Sequence, residues 1–334
     1  MTSQYVLLGA GTIGRVVARQ LKEAGNPPLA FADNDLHKQH HLMEEVPVFS
    51  AEECREKFPD AVWIATVMQP KFRDELLKQI EEMGVKSEEL WTFLPHKHSA
   101  PPASAIDTLD YILEEKESIY EFHNQIRFRR REASQRPASD ISEIYFPNWI
   151  IHRDDEHFVD CGAADGDTIA EFKKRWPNYK QITAFEPDKS NLEKLREATW
   201  QDRRILRFNA AISDHLHEAS FTSTGDYSAH LGGGGTRVPC WKLDDILVDS
   251  ENPPTYIKMD IEGSELEALW GAREIIRKHS PVLAICAYHT ADHLWQLPLL
   301  LHTINPDYKL FLRRYAEGTW ELVWYAVPVD RVKR

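Results

Sequence analysis

Phe158-Val-Asp-Cys-Gly-Ala-Ala-Asp-Gly-Asp-Thr168 is the stretch whose reading decides the fold. A short apolar run ends in an acid, Asp160, and a turn of small residues follows, Gly162-Ala163-Ala164-Asp165-Gly166. From Thr168 to Arg175 the pattern reads as a helix. Strand, tight turn and helix in that order open a nucleotide-binding α/β sheet, and glycine at 162 and 166 leaves room for a ligand against the backbone and for close helix–strand packing. Past the turn a second apolar run, Ile182-Thr-Ala-Phe185, ends in Glu186, 20 positions after Gly166. An acid there is where such folds hold a ribose by its hydroxyls.

Downstream, Tyr256-Ile-Lys-Met-Asp-Ile-Glu-Gly-Ser-Glu265 is an apolar strand ending in alternating charges, with a helix predicted from Ser264 to Lys278. Lys258, Asp260 and Glu262 have period-two spacing. If the strand runs on through them they share one side at its carboxyl end, the edge where open parallel sheets bind ligands. Lys258 lies within the apolar run, so it needs a partner, for which Asp260 or Glu262 is expected. The next strand, Val282-Leu-Ala-Ile-Cys286, leads to Tyr288-His289 and sets His289 on the same edge. A helix over Leu294–Ile304 and strands at Tyr308–Phe311 and Leu322–Tyr325 close the pattern. Gly232-Gly-Gly-Gly235 reads as a mobile loop, either a plain connector or a lid.

The first hundred residues repeat the theme. Tyr5–Leu8 is a predicted strand, running into Gly9-Ala-Gly11-Thr-Ile-Gly14 and a helix to Ala24. Leu29–Ala32 then ends in Asp33, with a further strand at Ala61–Ala65 and a helix at Lys71–Met83. This is a Rossmann-like unit, with Gly9, Gly11, Gly14 and Asp33 as a second nucleotide site for NAD or a nucleotide-sugar; the other reading keeps the glycines for packing alone. Ser99–Ala105 reads as a linker, and Thr108 to about Ser134 as a charged, helix-favouring segment whose Arg127-Phe-Arg-Arg-Arg131 run is read as a solvated face, with a phosphate-bearing substrate or partner as the alternative. The expected boundaries are 1–98 (Rossmann-like), 99–140 (linker and helical segment) and 141–330 (the second α/β domain). His37, His40, His41, His96 and His98 are read as loop residues and no metal centre is expected; a divalent ion held by Asp260 and Glu262 is the lesser reading, since two carboxylates do not fill an oxygen-ligand shell.

The chain has 334 residues and a net charge of −13, which argues against nonspecific nucleic-acid binding. No run of apolar residues is long enough to span a membrane, and the first residues lack the pattern of an export signal. The four cysteines, Cys54, Cys161, Cys240 and Cys286, have no Cys-x-x-Cys spacing, and reduced, buried thiols in a cytoplasmic protein are expected. A homo-oligomer is compatible with the sequence.

Residues 141–327 resemble the FkbM family of S-adenosylmethionine-dependent methyltransferases. The resemblance is carried by Phe158–Thr168, Ala184-Phe-Glu-Pro-Asp188, Asn209-Ala-Ala-Ile-Ser-Asp214, Leu243-Asp-Asp245, Ile257-Lys-Met-Asp-Ile-Glu-Gly-Ser-Glu265 and Tyr288-His289. It implies a class I methyltransferase sheet with a terminal antiparallel strand, and O-methylation of a hydroxyl on a sugar, glycan or related small molecule. The donor would lie against Asp160, Gly162, Ala163, Asp165, Gly166, Glu186 and Asp214, with Asp160 or Asp165 facing its ammonium. His289, Asp260 or Glu262 would be the base, and Lys258 would stabilise an alkoxide or position the acceptor. Through Val6–Gly14 and Phe31–Asp35 the first domain is similar to the N-terminal domain of sugar O-acyltransferase and polysaccharide-biosynthesis proteins, which implies nucleotide-sugar binding. Two other readings stand beside this one: an NAD-dependent oxidoreductase, and a nucleotide-sugar-binding module, both centred on the first domain.

Overall fold

Seven short apolar runs of the second half pair into one sheet: β1 (His157–Cys161), β2 (Gln181–Phe185), β3 (Ile205–Phe208), β4 (Tyr256–Met259), β5 (Val282–Cys286), β6 (Lys309–Arg314) and β7 (Leu322–Val327). The structure is a computed structural model, and it describes residues 3–67, 70–88, 101–130, 138–222, 230–231, 236–316 and 320–333. The strand order is β6-β7-β5-β4-β1-β2-β3. β1 to β5 are parallel, and β7 runs antiparallel to both β5 and β6. Consecutive side chains alternate between two cores, as the pleat requires. Val159, Cys161, Ile257, Met259, Leu283 and Ile285 enter one. Phe158, Tyr256, Val282, Ala284 and Cys286 enter the other. Burial on both faces is why these strands read as near-continuous apolar runs.

Helices cover both faces. Asp167–Arg175 and Lys189–Thr199 place Ile169, Phe172, Leu192 and Leu195 in the Phe158 core. His293–Ile304 packs into the other. A smaller sheet is made of Ala211–Ile212, Thr236–Trp241, His217–Thr222 and His230–Leu231, in that order. Residues 232–235, read as a mobile loop, lie outside the described residues, as do His96 and His98.

The chain forms two compact units, Met1–His96 and Lys97–Arg334. In the first, strands Tyr5–Leu8, Ala30–Ala32, Val46–Phe49, Val62–Ala65 and Lys86–Ser87 pair in parallel, with Leu42–Met43 antiparallel at one edge. Helix Thr12–Glu23 follows the Gly9–Gly14 turn.

Three local expectations are corrected. Helix Ala103–Ile112 begins inside the stretch read as linker, directly after Pro101-Pro102. Proline cannot continue a helix toward its own N-terminus but sits well at its start. The helix-favouring segment from Thr108 is divided between two helices in its described part, because Leu113 adopts an extended backbone and is buried before Lys116–Arg129 begins. Both helices donate to the core of the second unit, through Ala105, Leu109, Phe122 and Ile126. Arg129, expected on a solvated face, is buried and donates to the carbonyl of Ala291. Finally, the predicted helix 264–278 is Glu265–Gly271 and Arg273–His279. At the break Gly271 abuts the Ser213 carbonyl, where a Cβ would come within 2.1 Å.

All four cysteines are buried and unpaired. Among the described residues no helix is long and apolar enough to cross a membrane.

Candidate active site

The carboxyl ends of β1, β2, β4 and β5 meet at one rim. After β1 the chain turns through Gly162, Ala164 and Gly166, all at positive φ (84°, 44° and 94°), before helix Asp167–Arg175. The amides of Gly162 and Ala163 donate to the Phe185 carbonyl, each at 3.0 Å. Space at the two glycines is used within the protein. A Cβ on Gly162 would lie 1.9 Å from the Asp260 carbonyl oxygen, and one on Gly166 would lie 2.8 Å from Leu195. The close packing expected of these residues is present, but at Gly162 the room foreseen for a ligand is filled by the start of the loop after β4.

Glu186 closes the turn from β2. One carboxylate oxygen accepts the amide of Ala164 and the other that of Asp188, both at 2.8 Å. Asn209, past β3, donates to the carbonyls of Glu186 and Pro187. Burial raises the Glu186 carboxyl to about 7, against the pull of those two amides and of Lys258. Each oxygen accepts one bond from the protein and keeps acceptor capacity for a hydroxyl.

Lys258 does not pair with Asp260 or Glu262. Its register partner on β1 is Asp160, so both side chains leave the sheet on the same face, and Nζ lies 3.0 Å from Asp160 Oδ1. Nζ also donates to the Gly162 carbonyl at 2.7 Å and sits 5.3 Å from the centre of the Tyr145 ring. Burial raises Asp160 to about 6 while Lys258 pulls it down. Burial works against the Lys258 charge, but Asp160 and Asp260 outweigh it and hold the ammonium protonated. Asp160 is therefore spent on Lys258 inside the sheet, whereas Asp165 is exposed at the turn.

The period-two reading of the β4 end also needs correction. The strand stops at Met259, and Glu262 takes a left-handed backbone (φ 56°) ahead of Gly263 (φ 101°). The carboxylates still converge, through a turn instead of a pleat. His289 Nε2 lies 3.3 Å from Asp260 Oδ1 and 3.6 Å from Glu262 Oε2. Behind it, Nδ1 donates to Glu265 Oε1 at 2.7 Å, and that oxygen also accepts the Ile261 amide. The other Glu265 oxygen faces His293 Nδ1 at 3.3 Å. Burial disfavours the His289 charge, but Glu265, Asp260 and Glu262 overcome it and raise the imidazole to about 9. Burial likewise opposes the Glu265 charge, yet the two histidines hold that carboxyl well below the usual range.

Asp260 receives two phenols, Tyr145 OH on Oδ2 at 2.8 Å and Tyr288 OH on Oδ1 at 3.3 Å. Nearby, burial and the Asp260 charge raise Glu321 to about 7. The sequence reading missed Glu265, Tyr145 and Glu321 as members of this cluster. Glu265 and Tyr288 fall within the quoted motifs, whereas Tyr145 and Glu321 arrive from distant stretches and carry no local signal. Asp214, expected at the donor, has an exposed carboxylate 2.5 Å from His215 Nδ1.

In the first unit the Gly9–Gly14 turn has the expected packing, since a Cβ on Gly14 would lie 2.1 Å from the Gly9 carbonyl, while Gly11 faces open space. Asp33 accepts the amides of Ala10 at 2.7 Å and Asp35 at 2.9 Å, and pairs with Lys38 at 3.2 Å.

The rim suits a donor without phosphate. The helix after the turn starts at Asp167, two residues past the exposed Asp165. These acids would repel a pyrophosphate at that N-terminus but favour a cationic sulfonium and ammonium. Comparison with known proteins agrees. Residues 160–315 match the family model of the methyltransferase FkbM domain. Methyltransferase FkbM from Methylobacillus flagellatus KT is similar over 97% of this chain and 90% of its own, with 24% identity and a TM-score of 0.74, so the fold is shared. Precorrin-6y C5,15-methyltransferase from Geobacter metallireducens GS-15 aligns over 52% of this chain and 80% of its own, at 17% identity and a TM-score of 0.34. A mutant of perosamine N-acetyltransferase from Caulobacter crescentus aligns over 25% of this chain and 40% of its own, at 18% identity and a TM-score of 0.22. Likenesses as slight as those two carry no weight for fold or function. No curated protein matches the chain. Residues 160–315 of the second unit thus match the methyltransferase FkbM domain, and the protein is an S-adenosylmethionine-dependent methyltransferase.

Proposed function

We propose that the enzyme O-methylates a hydroxyl of a sugar, glycan or related small molecule. The observation that supports this most is the group of Asp260, Glu262 and His289 at the rim, one loop away from the Gly162–Gly166 turn. Bound S-adenosylmethionine supplies an electrophilic methyl group on a sulfonium. The turn and Glu186 hold the donor, with Glu186 accepting from its ribose hydroxyls. Lys258 is a positioning residue, because its ammonium ties Asp160 to the Gly162 carbonyl and so fixes the turn. The acceptor hydroxyl sits against Asp260 and Glu262, which draw its proton as the methyl group is transferred. His289, charged near neutral pH, is a poor base and serves to keep those carboxylates ionised and oriented. Much of the rate then comes from alignment of the two reactants.

For the first unit we propose a nucleotide ligand, NAD or a nucleotide-sugar, at Gly9, Gly11, Gly14 and Asp33. Open space at Gly11 supports it. A nucleotide-sugar there fits an acceptor that is itself a sugar.

The test is methyl transfer from isotopically labelled donor to a panel of sugars, nucleotide-sugars and non-sugar alcohols, with calorimetry for the donor alone. Label on a sugar oxygen, lost in Glu262→Gln while donor binding persists, is the expected result. Label on nitrogen or carbon, or on non-sugar alcohols alone, overturns the assignment.

A further inference from the structure

We infer that Asp260, Glu262 and His289 form a binding site for one divalent cation of the Mn2+ or Mg2+ class, which holds the acceptor's hydroxyl oxygen beside the donor. This rests on the reading of the rim as the acceptor's seat. Two carboxylates alone make no site, and the decisive observation is the histidine. The His289 side chain is only 6% exposed, and its Nε2 makes no hydrogen bond although two carboxylate oxygens lie 3.3 and 3.6 Å away. A buried nitrogen that faces two carboxylates and bonds to neither is placed as a ligand sharing a cation with them would be.

The spacing agrees. Ligand atoms of the three residues lie within 4.8 Å of one another. Six-coordinate ligands about 2.1 Å from a central ion stand roughly 3 Å apart when adjacent and about 4.2 Å when opposite. The backing of the ring agrees as well. Nδ1 is held by Glu265, a fully buried carboxylate that is itself fixed by the Ile261 amide, so a cation that displaces the Nε2 proton meets a ring already held in place. A carboxylate behind a ligating histidine is a recurrent feature of metal centres, where it sets the tautomer and the orientation of the ring.

Two carboxylates and one imidazole, with no thiolate in the set, favour a hard or borderline ion. Three protein ligands leave positions for water and for the acceptor. The cation polarises the acceptor hydroxyl, and its proton passes to the Glu262 carboxylate. The oxygen lone pair then forms the new O–CH3 bond as the S–CH3 bond breaks, its electron pair staying on sulfur and leaving a neutral thioether.

The test uses the full chain freed of metal by chelation. MnCl2 alone is titrated while free Mn2+ is followed by electron paramagnetic resonance, with MgCl2 and ZnCl2 as competitors and donor affinity measured calorimetrically in the same samples. One Mn2+ per chain is expected, bound at least about tenfold more weakly in His289→Ala and in Glu262→Gln. Glu262 is 32% exposed, so its variant keeps the fold and the donor affinity. Absence of Mn2+ binding, or equal binding in both variants and the parent, overturns the cation site. Mn2+ binding with that mutant pattern but without donor binding upholds the cation site and sinks the donor reading. Donor binding without Mn2+ does the reverse.

Discussion

Lys258 and Asp160 stand opposite one another in register on β4 and β1, with Nζ 3.0 Å from Oδ1, and both are buried. Through the Gly162 carbonyl the same ammonium reaches the turn. One buried charge thus joins the strand that leads to Asp260 and Glu262 to the Gly162–Gly166 turn.

Lys258→Met leaves Asp160 as an uncompensated charge in the core, and we expect a loss of about 3–5 kcal/mol in urea unfolding. Adding Asp160→Asn recovers most of it, since the stranded charge goes too. A single variant within about 1 kcal/mol of the parent contradicts the pairing.

Gly162→Ala meets backbone, with its Cβ 1.9 Å from the Asp260 carbonyl oxygen at φ 84°. It should destabilise by more than about 2 kcal/mol, in the range of overpacking combined with left-handed strain. Gly11→Ala in the first unit has nothing within 4 Å and no positive φ. It should leave the melting temperature of the chain nearly unchanged, whatever it does to a ligand there.

The contributions of Glu186 and Glu321 to stability should fall between pH 5 and pH 8. Burial raises Glu186 and Glu321 to about 7 from an ordinary 4.5. A carboxyl raised in the folded state contributes fully below its unfolded value, and that contribution is lost as pH rises through about 7, because the unfolded chain ionises first. Glu321→Gln should flatten the decline in a thermal scan. A Glu321→Gln variant whose melting temperature follows the parent's at every pH contradicts this contribution.

Donor affinity should show the other dependence. If ribose hydroxyls donate to the Glu186 carboxylate, as proposed, calorimetric affinity should weaken as pH drops below about 7, up to tenfold per unit once the group is mostly protonated. Glu186→Ala should abolish the pH dependence and cost at least tenfold at pH 8.

The acceptor cluster should separate from the donor site in kinetics. Glu262→Gln should lower kcat by about 100-fold or more, within the range of a lost proton acceptor or cation ligand, and leave donor affinity alone. A change in KM with kcat intact would place Glu262 in acceptor binding only.

Much of this was legible in the linear chain. Phe158–Thr168 and the acid after Phe185 announced the first strand, its turn and the second strand, because a parallel sheet buried on both faces needs apolar runs, and the tight turns between them need glycine. The same pattern marked His289 at the end of β5. Partners across strands were another matter. Lys258 was assigned to neighbours two and four residues on, but strand register gave it Asp160, 98 positions earlier. The turn that swings Glu262 toward His289, and Glu265 behind the ring, bring together groups whose neighbourhood no local period encodes. Tyr145 reaches Asp260 from a loop ahead of β1. Sequence determined which strands exist and where each ends, since burial and backbone geometry act residue by residue. Only tertiary structure decided which charges meet, since pairing a buried charge depends on distances through space between segments that folding alone brings side by side.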